Sequence, residues 1–209
     1  MNYRTGYIDF LIGLLLLLVT GITIGVGAME HNDNLDSIVL GGGCFWCIEA
    51  VYERIDGIES AVSGYAGGET ENPSYEQVSS GLTGHAEVVK LTFDSSKITL
   101  EEILEIFFKA HDPTLENRQG ADVGTQYRSI ILYTNDSQKE PILKYVNHLS
   151  LSKIYSKPIV TQVEKLKTFW PAEVYHQDYY ERHPYAGYCR IVIAPKLDKL
   201  GLPLDSLIK

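Results

Sequence analysis

Apolar and polar residues recur along this chain in two periods. From His85 to Phe93 the period is two: His85, Glu87, Val89, Leu91 and Phe93 fall on one face of a strand, and Ala86, Val88, Lys90 and Thr92 on the other. Glu87 therefore shares its face with apolar residues. Leu100, Ile103, Leu104, Phe107 and Phe108 recur at helical spacing behind Thr99, a plausible cap with Glu102 three residues on, which predicts a helix over Thr99–Ala110. Ser37–Gly42 reads as a short buried strand. Cys44–Ile55 reads as a helix with Ile48, Val51 and Ile55 on its apolar side, Ile58–Tyr65 as a second strand, and Tyr127–Tyr133 as a further one.

Strand, helix, strand, strand, helix, strand is the order of a split βαβ unit. The expected fold class is α/β (α+β), a ferredoxin-like two-layer sandwich. Ser137–Ser150 adds a surface helix and Ile159–Leu166 another strand. The tail from Trp170 is aromatic and irregular, and is expected as a long C-terminal wrap over the core that does not extend the sheet.

The N-terminal stretch has neither period. Phe10–Val19 is nearly all Leu and Ile, Arg4 precedes it, and Val26-Gly27-Ala28 has the small-residue spacing that a signal peptidase accepts. Residues 1–28 are expected to be a signal peptide or, uncleaved, a membrane anchor; 29–36 a short linker; and 37–209 one catalytic domain. The domain is then exported, either periplasmic or membrane-anchored and facing outside the cytoplasm, and its only membrane contact is the leader.

The formal net charge is −9, and no basic cluster interrupts it. That opposes binding to phosphate backbones, so nucleic acid is excluded as a partner. Three cysteines are too few for a disulfide scaffold, and the odd count in an exported chain points to a reactive thiol.

Cys44 follows Gly41-Gly42-Gly43 at a predicted helix start, where outward-pointing N–H groups favour a thiolate. The bland alternative is a buried, inert cysteine. Phe45 and Trp46 could form an apolar cage beside the sulfur, or simply be core aromatics. Glu87, on an apolar strand face, should be desolvated and held protonated, fit to donate a proton; a salt-bridged edge carboxylate is the alternative. Cys44-Phe45-Trp46-Cys47 is also a C-x-x-C, which keeps open a thioredoxin-like disulfide oxidoreductase, although that needs a different strand order. A zinc site from Cys44, Cys47, His176 and Cys189 lacks a second pair at ligand spacing, so no metal is expected.

Gly43-Cys44-Phe45-Trp46 with Glu49 resembles the signature of the peptide methionine sulfoxide reductase A family. Gly64-Tyr65-Ala66-Gly67-Gly68, Asn72-Pro73-Ser74-Tyr75, Gly84-His85-Ala86-Glu87, the run from Asn117 to Ser129 and Tyr175-His176-Gln177-Asp178-Tyr179 resemble further family segments in the same order.

The resemblance implies thiol-dependent reduction of methionine S-sulfoxide, free or in oxidised proteins, without a cofactor. It implies Cys44 as nucleophile, Phe45 and Trp46 around the methyl group, Glu87 as acid, Tyr75 and Tyr127 as hydroxyl donors, and Asp122 as a substrate-orienting carboxylate. For Asp122, between Gly120 and Gly124, an Asx-turn is the local alternative. Attack would leave a sulfenic acid on Cys44 that a second thiol resolves to a disulfide, to be reduced by an external thioredoxin-type dithiol. Cys189 in Gly187-Tyr188-Cys189 matches the family's recycling position. Cys47 stands where the family commonly has glycine, and no cysteine follows Cys189, so both resolving routes stay open. His85, His111, His176 and His183 are expected in structural hydrogen bonds, and a monomer is expected.

Overall fold

The computed structural model describes residues 34–204; the predicted leader and most of the linker lie outside the described residues. Strand β1 (Leu35–Gly42) leads into helix α1 (Phe45–Tyr52), then β2 (Ile58–Ala66), α2 (Tyr75–Ser79), β3 (Ala86–Asp94) and α3 (Leu100–Ala110). A small hairpin of β4 (Arg118–Gln119) and β5 (Asp122–Val123) precedes β6 (Ser129–Tyr133), α4 (Asp136–Ser152), β7 (Gln162–Lys165) and β8 (Phe169–Pro171). The tail holds α5 (Tyr179–Arg182), a π-helical turn (Cys189–Ile193) and α6 (Ala194–Lys199).

The main sheet has the order β7-β6-β1-β3-β2-β8. Its middle four strands, β6-β1-β3-β2, are antiparallel throughout, as the ferredoxin-like arrangement requires. β7 joins parallel to β6 after the α4 crossover. One face carries Ile38, Leu40, Val89, Leu91, Phe93 and Ile131 against Ile48 and Val51 of α1 and Leu104 and Phe107 of α3. Side chains of this size contribute about 1.5–3 kcal/mol each when fully buried. The other face buries Val39, Ala86, Val88, Ile130 and Leu132 under Leu166 and Phe169. Both faces of β3 are thus covered near Glu87, and the carboxyl has no route to bulk water along its strand.

α3 is capped as its sequence indicates: Thr99 Oγ1 accepts from Glu102 N–H at 3.2 Å, and Glu102 Oε2 accepts from Thr99 N–H at 2.8 Å. The N-terminal linker ends earlier than expected, because Leu35 and Asp36 already pair with Asp94 and Phe93. Tyr127 is not in the strand that follows it. Gly124, at φ 148°, starts a 3-10 turn over Thr125–Tyr127, closed by Tyr127 N–H to Gly124 O at 3.0 Å, and β6 begins only at Ser129.

The tail departs from expectation at one point. Phe169–Pro171 does extend the sheet, pairing antiparallel with Gly64–Ala66 at the free edge of β2. Gly64 permits this: a Cβ there would lie 2.4 Å from Phe169 Cζ and 2.5 Å from the Trp170 carbonyl oxygen. Beyond β8 the tail wraps as expected and buries Cys189, Ile193 and Leu197 in the core. Arg54, just past α1, fastens it: its side chain is fully buried, pairs with Glu181 and lies 4.9 Å from the Tyr180 ring centre.

Candidate active site

Between β1 and α1 the chain turns at Gly43, whose φ of +100° and 2.7 Å clearance to Gln119 Cβ leave no room for a side chain. Cys44 follows as the N-cap of α1. It opens onto a pocket of about 190 Å³ lined by Cys44, Phe45, Trp46, Tyr75, Glu87, Asp122, Tyr127 and Tyr188. Seven of these eight were singled out from the sequence, and they come from five separate stretches of chain.

Each is held by identifiable contacts. Glu87 projects from β3, is 2% exposed, and accepts the Phe45 backbone N–H at 3.1 Å. Burial raises its carboxyl to about 8, so it carries a proton at neutral pH, as the strand pattern anticipated. Tyr75 opens α2, which Ser74 and Gln77 close with a reciprocal capping box. Its backbone N–H donates to Glu173 Oε1 at 2.9 Å, while Tyr65 Oη donates to Glu173 Oε2 at 2.8 Å. Burial keeps the Tyr75 and Tyr127 phenols protonated, with pKa values raised. Trp46 stacks on Tyr179 with ring centres 3.6 Å apart, and Phe45 lies 6.1 Å from Trp46, which together form the apolar wall. Asp122 has a partner far along the chain: its Oδ2 accepts from Tyr188 Oη at 2.7 Å.

The thiols correct one expectation. Cys44 sits at a helix start, yet its pKa is raised, first by burial, then by its hydrogen bond with Cys47 and by Glu87. It is 8% exposed, and the first N–H of α1, that of Phe45, points to Glu87 and not to sulfur. The Cys47 thiol instead falls to about 7, chiefly through its hydrogen bond with Cys44, with burial opposing and Lys196 assisting. The Cys47 sulfur is thereby placed to take the Cys44 proton as Cys44 attacks. Cys189, fully buried on the π-helical turn, is raised by burial and by its neighbour Cys47.

One pocket residue, Tyr188, escaped the sequence reading. Tyr188 lines the pocket and contacts Cys47 Sγ at 3.7 Å, although its sequence neighbourhood had pointed only to Cys189. His176 is 2% exposed, and its ring nitrogens have no hydrogen-bond partner among the described residues, contrary to the structural hydrogen bond expected of it. It packs against Phe45 at 5.0 Å, Trp46 at 5.5 Å and Tyr75 at 4.5 Å and so backs the aromatic wall. His85 and His111 do make their expected bonds, His85 to Gly68 and Thr70, His111 to Phe107 and Ser129.

A buried thiol facing a protonated carboxyl, two phenols and an aromatic wall suits a small, polarised, methyl-bearing electrophile. Known proteins similar to this chain agree with that chemistry. A family model described as peptide methionine sulfoxide reductase matches residues 36–203. A peptide methionine sulfoxide reductase MsrA from Polynucleobacter asymbioticus is 53% identical over 179 residues, which cover 86% of this chain and 94% of that protein. Mxr1 from Saccharomyces cerevisiae in reduced form superposes with a TM-score of 0.70 at 35% identity, over 75% of this chain and 90% of that one. Mxr1 in complex with Trx2 superposes with a TM-score of 0.51 at 27% identity, over 67% and 82%. The chain belongs to the peptide methionine sulfoxide reductase family.

Proposed function

We propose that this chain reduces methionine S-sulfoxide, free or in oxidised proteins, to methionine, with Cys44 as the nucleophile. The observation that carries this reading is the convergence of Cys44, a protonated Glu87, Tyr75 and Tyr127 on a pocket sized for one side chain. The substrate methyl group packs on Phe45 and Trp46, and Asp122 orients the flanking backbone. As Cys44 attacks sulfur, its proton passes to Cys47 while Glu87 protonates the sulfoxide oxygen and the phenols hydrogen-bond to it. Methionine leaves, and Cys44 keeps the oxygen as a sulfenic acid.

Cys47 then resolves the sulfenic acid, since its thiol is close enough to Cys44 for each to shift the other's ionisation, and Cys189 beside it is the second thiol to which the disulfide can pass. An external thioredoxin-type dithiol returns the enzyme to its reduced form, a role supported by the complex of the related Mxr1 with Trx2. The apolar run before residue 29 supports an exported or membrane-tethered enzyme whose leader is its only membrane contact, and the chain is proposed to act as a monomer. A thioredoxin-like role for Cys44 and Cys47 is disfavoured, because the strand order is that of a split βαβ sandwich and the pocket residues outside the C-x-x-C would have no task.

The deciding experiment incubates the full chain and Cys44→Ser with dithiothreitol and each sulfoxide epimer of a blocked methionine. The wild type should yield methionine from the S epimer only, and the variant from neither. Reduction of insulin disulfides with no sulfoxide turnover would overturn the proposal in favour of the C-x-x-C reading.

A further inference from the structure

Tyr188 has one proton to give. It is engaged with Asp122 Oδ2 at 2.7 Å, and a carboxylate can only accept. At its 3.7 Å contact with Cys47 Sγ the same phenol oxygen must then be the acceptor whenever Cys47 is a thiol, and the S–H the donor. While Cys47 is a thiol, the hydrogen bonds run in one direction, from Cys47 through Tyr188 to Asp122. The ring is held in place by an edge contact with Trp46 at 5.8 Å. Tyr188 and Asp122 also line the pocket that the oxygen of a Cys44 sulfenic acid would occupy.

We propose that Cys47, Tyr188 and Asp122 form a proton relay for the resolving step, with Tyr188 as an additional catalytic residue. The proposal rests on Cys47 being the resolving thiol. After sulfoxide reduction Cys44 is a sulfenic acid and Cys47 a thiol. Cys47 sulfur uses its electron pair to form the S–S bond, and the S–O bond breaks with its pair remaining on oxygen. The Cys47 proton moves to Tyr188 as the Tyr188 proton moves to Asp122, and Asp122 then passes a proton to the departing hydroxide. One sulfenic acid and one thiol give one disulfide and one water, and no outside acid or base is consumed. Asp122 thereby gains a role distinct from orienting substrate.

The test is a single turnover of the full chain without reductant, with methionine and disulfide followed separately and sulfenic acid trapped by dimedone. Tyr188→Phe keeps the ring and removes the relay. Disulfide formation in it should slow about a hundredfold more than methionine formation, within the usual range for acid–base assistance. Its disulfide rate should also rise with pH where the wild type is flat, because Cys47 must then lose its proton to solvent. The titratable groups facing Cys47 are Cys44 at the N-cap of α1, Glu87 on β3, Asp122 on β5, Tyr188 just before the π-helical turn and Cys189 on it, and Lys196 on α6. An unchanged ratio of the two rates in Tyr188→Phe, with disulfide formation abolished in Cys47→Ser, overturns the relay and leaves Cys47 as the resolving thiol. Disulfide formation at the wild-type rate in Cys47→Ser overturns that assignment itself, and the relay with it.

Discussion

The backbone N–H of Phe45 donates to Glu87 Oε2 at 3.1 Å, so the residue next to the nucleophile fixes the position of the acid. A Gln side chain can accept the same bond but cannot supply the proton. Glu87→Gln should lower kcat for sulfoxide reduction by about 10²–10⁴-fold, the scale of a lost general acid. In the wild type, activity should fall as pH rises through about 8, where the carboxyl ionises, and steady-state kinetics across that range would check it.

The same substitution should alter stability in the opposite sense. The folded carboxyl titrates at about 8, above its usual 4.5. The unfolded chain therefore loses this proton first, and Glu87 costs stability as pH climbs from 4.5 towards 8, at about 1.4 kcal/mol per unit of separation. Glu87→Gln should melt higher than the wild type at pH 8 and match it at pH 4, as read by calorimetry. An equal shift at both pH values would contradict the assignment.

Cys47, at about 7, should be the first thiol to ionise. Thiolate absorbance near 240 nm should rise through neutral pH in the reduced wild type and lose that phase in Cys47→Ser. A neutral phase that survives in Cys47→Ser and vanishes in Cys44→Ser would restore the helix-activated Cys44.

Glu173 joins the Tyr75 backbone to the Tyr65 phenol, and Tyr65 is fully buried. Glu173→Ala leaves that phenol unpaired. A loss of about 1–3 kcal/mol in denaturant unfolding is expected, together with a fall in kcat/KM as Tyr75 loses its anchor.

Gly64→Ala would drive a Cβ to 2.4 Å from the Phe169 ring and 2.5 Å from the Trp170 carbonyl oxygen. β8 should detach from β2, at a cost of about 1–3 kcal/mol. Faster amide exchange at Trp170 and Ala172 than in the rest of the sheet would reveal it, since Ala172 N–H donates to Ser63 O.

Much of this protein follows from local regularity. The alternation through Glu87, Val89, Leu91 and Phe93, the α3 stripe behind its Thr99 cap and the order of elements yielded the sandwich, because periods of two and 3.6 are imposed by the backbone itself. They also foretold a desolvated Glu87, since its face is a property of its strand. The motif segments identified Cys44, Phe45, Trp46, Tyr75, Asp122 and Tyr127. What the sequence could not reveal depends on atoms far apart along the chain. Whether Cys44 or Cys47 ionises first turns on the depth of burial, on the interaction of the two thiols with each other and on the Phe45 N–H being taken by Glu87. Pairing of Phe169–Pro171 with β2 depends on an open sheet edge at Gly64. Tyr188 reaches Asp122 across 66 residues only because the tail folds back over α1. Local pattern determines which elements form and which way their side chains face; protonation states and hydrogen-bond partners are decided only when packing excludes water and brings distant groups within about 3 Å.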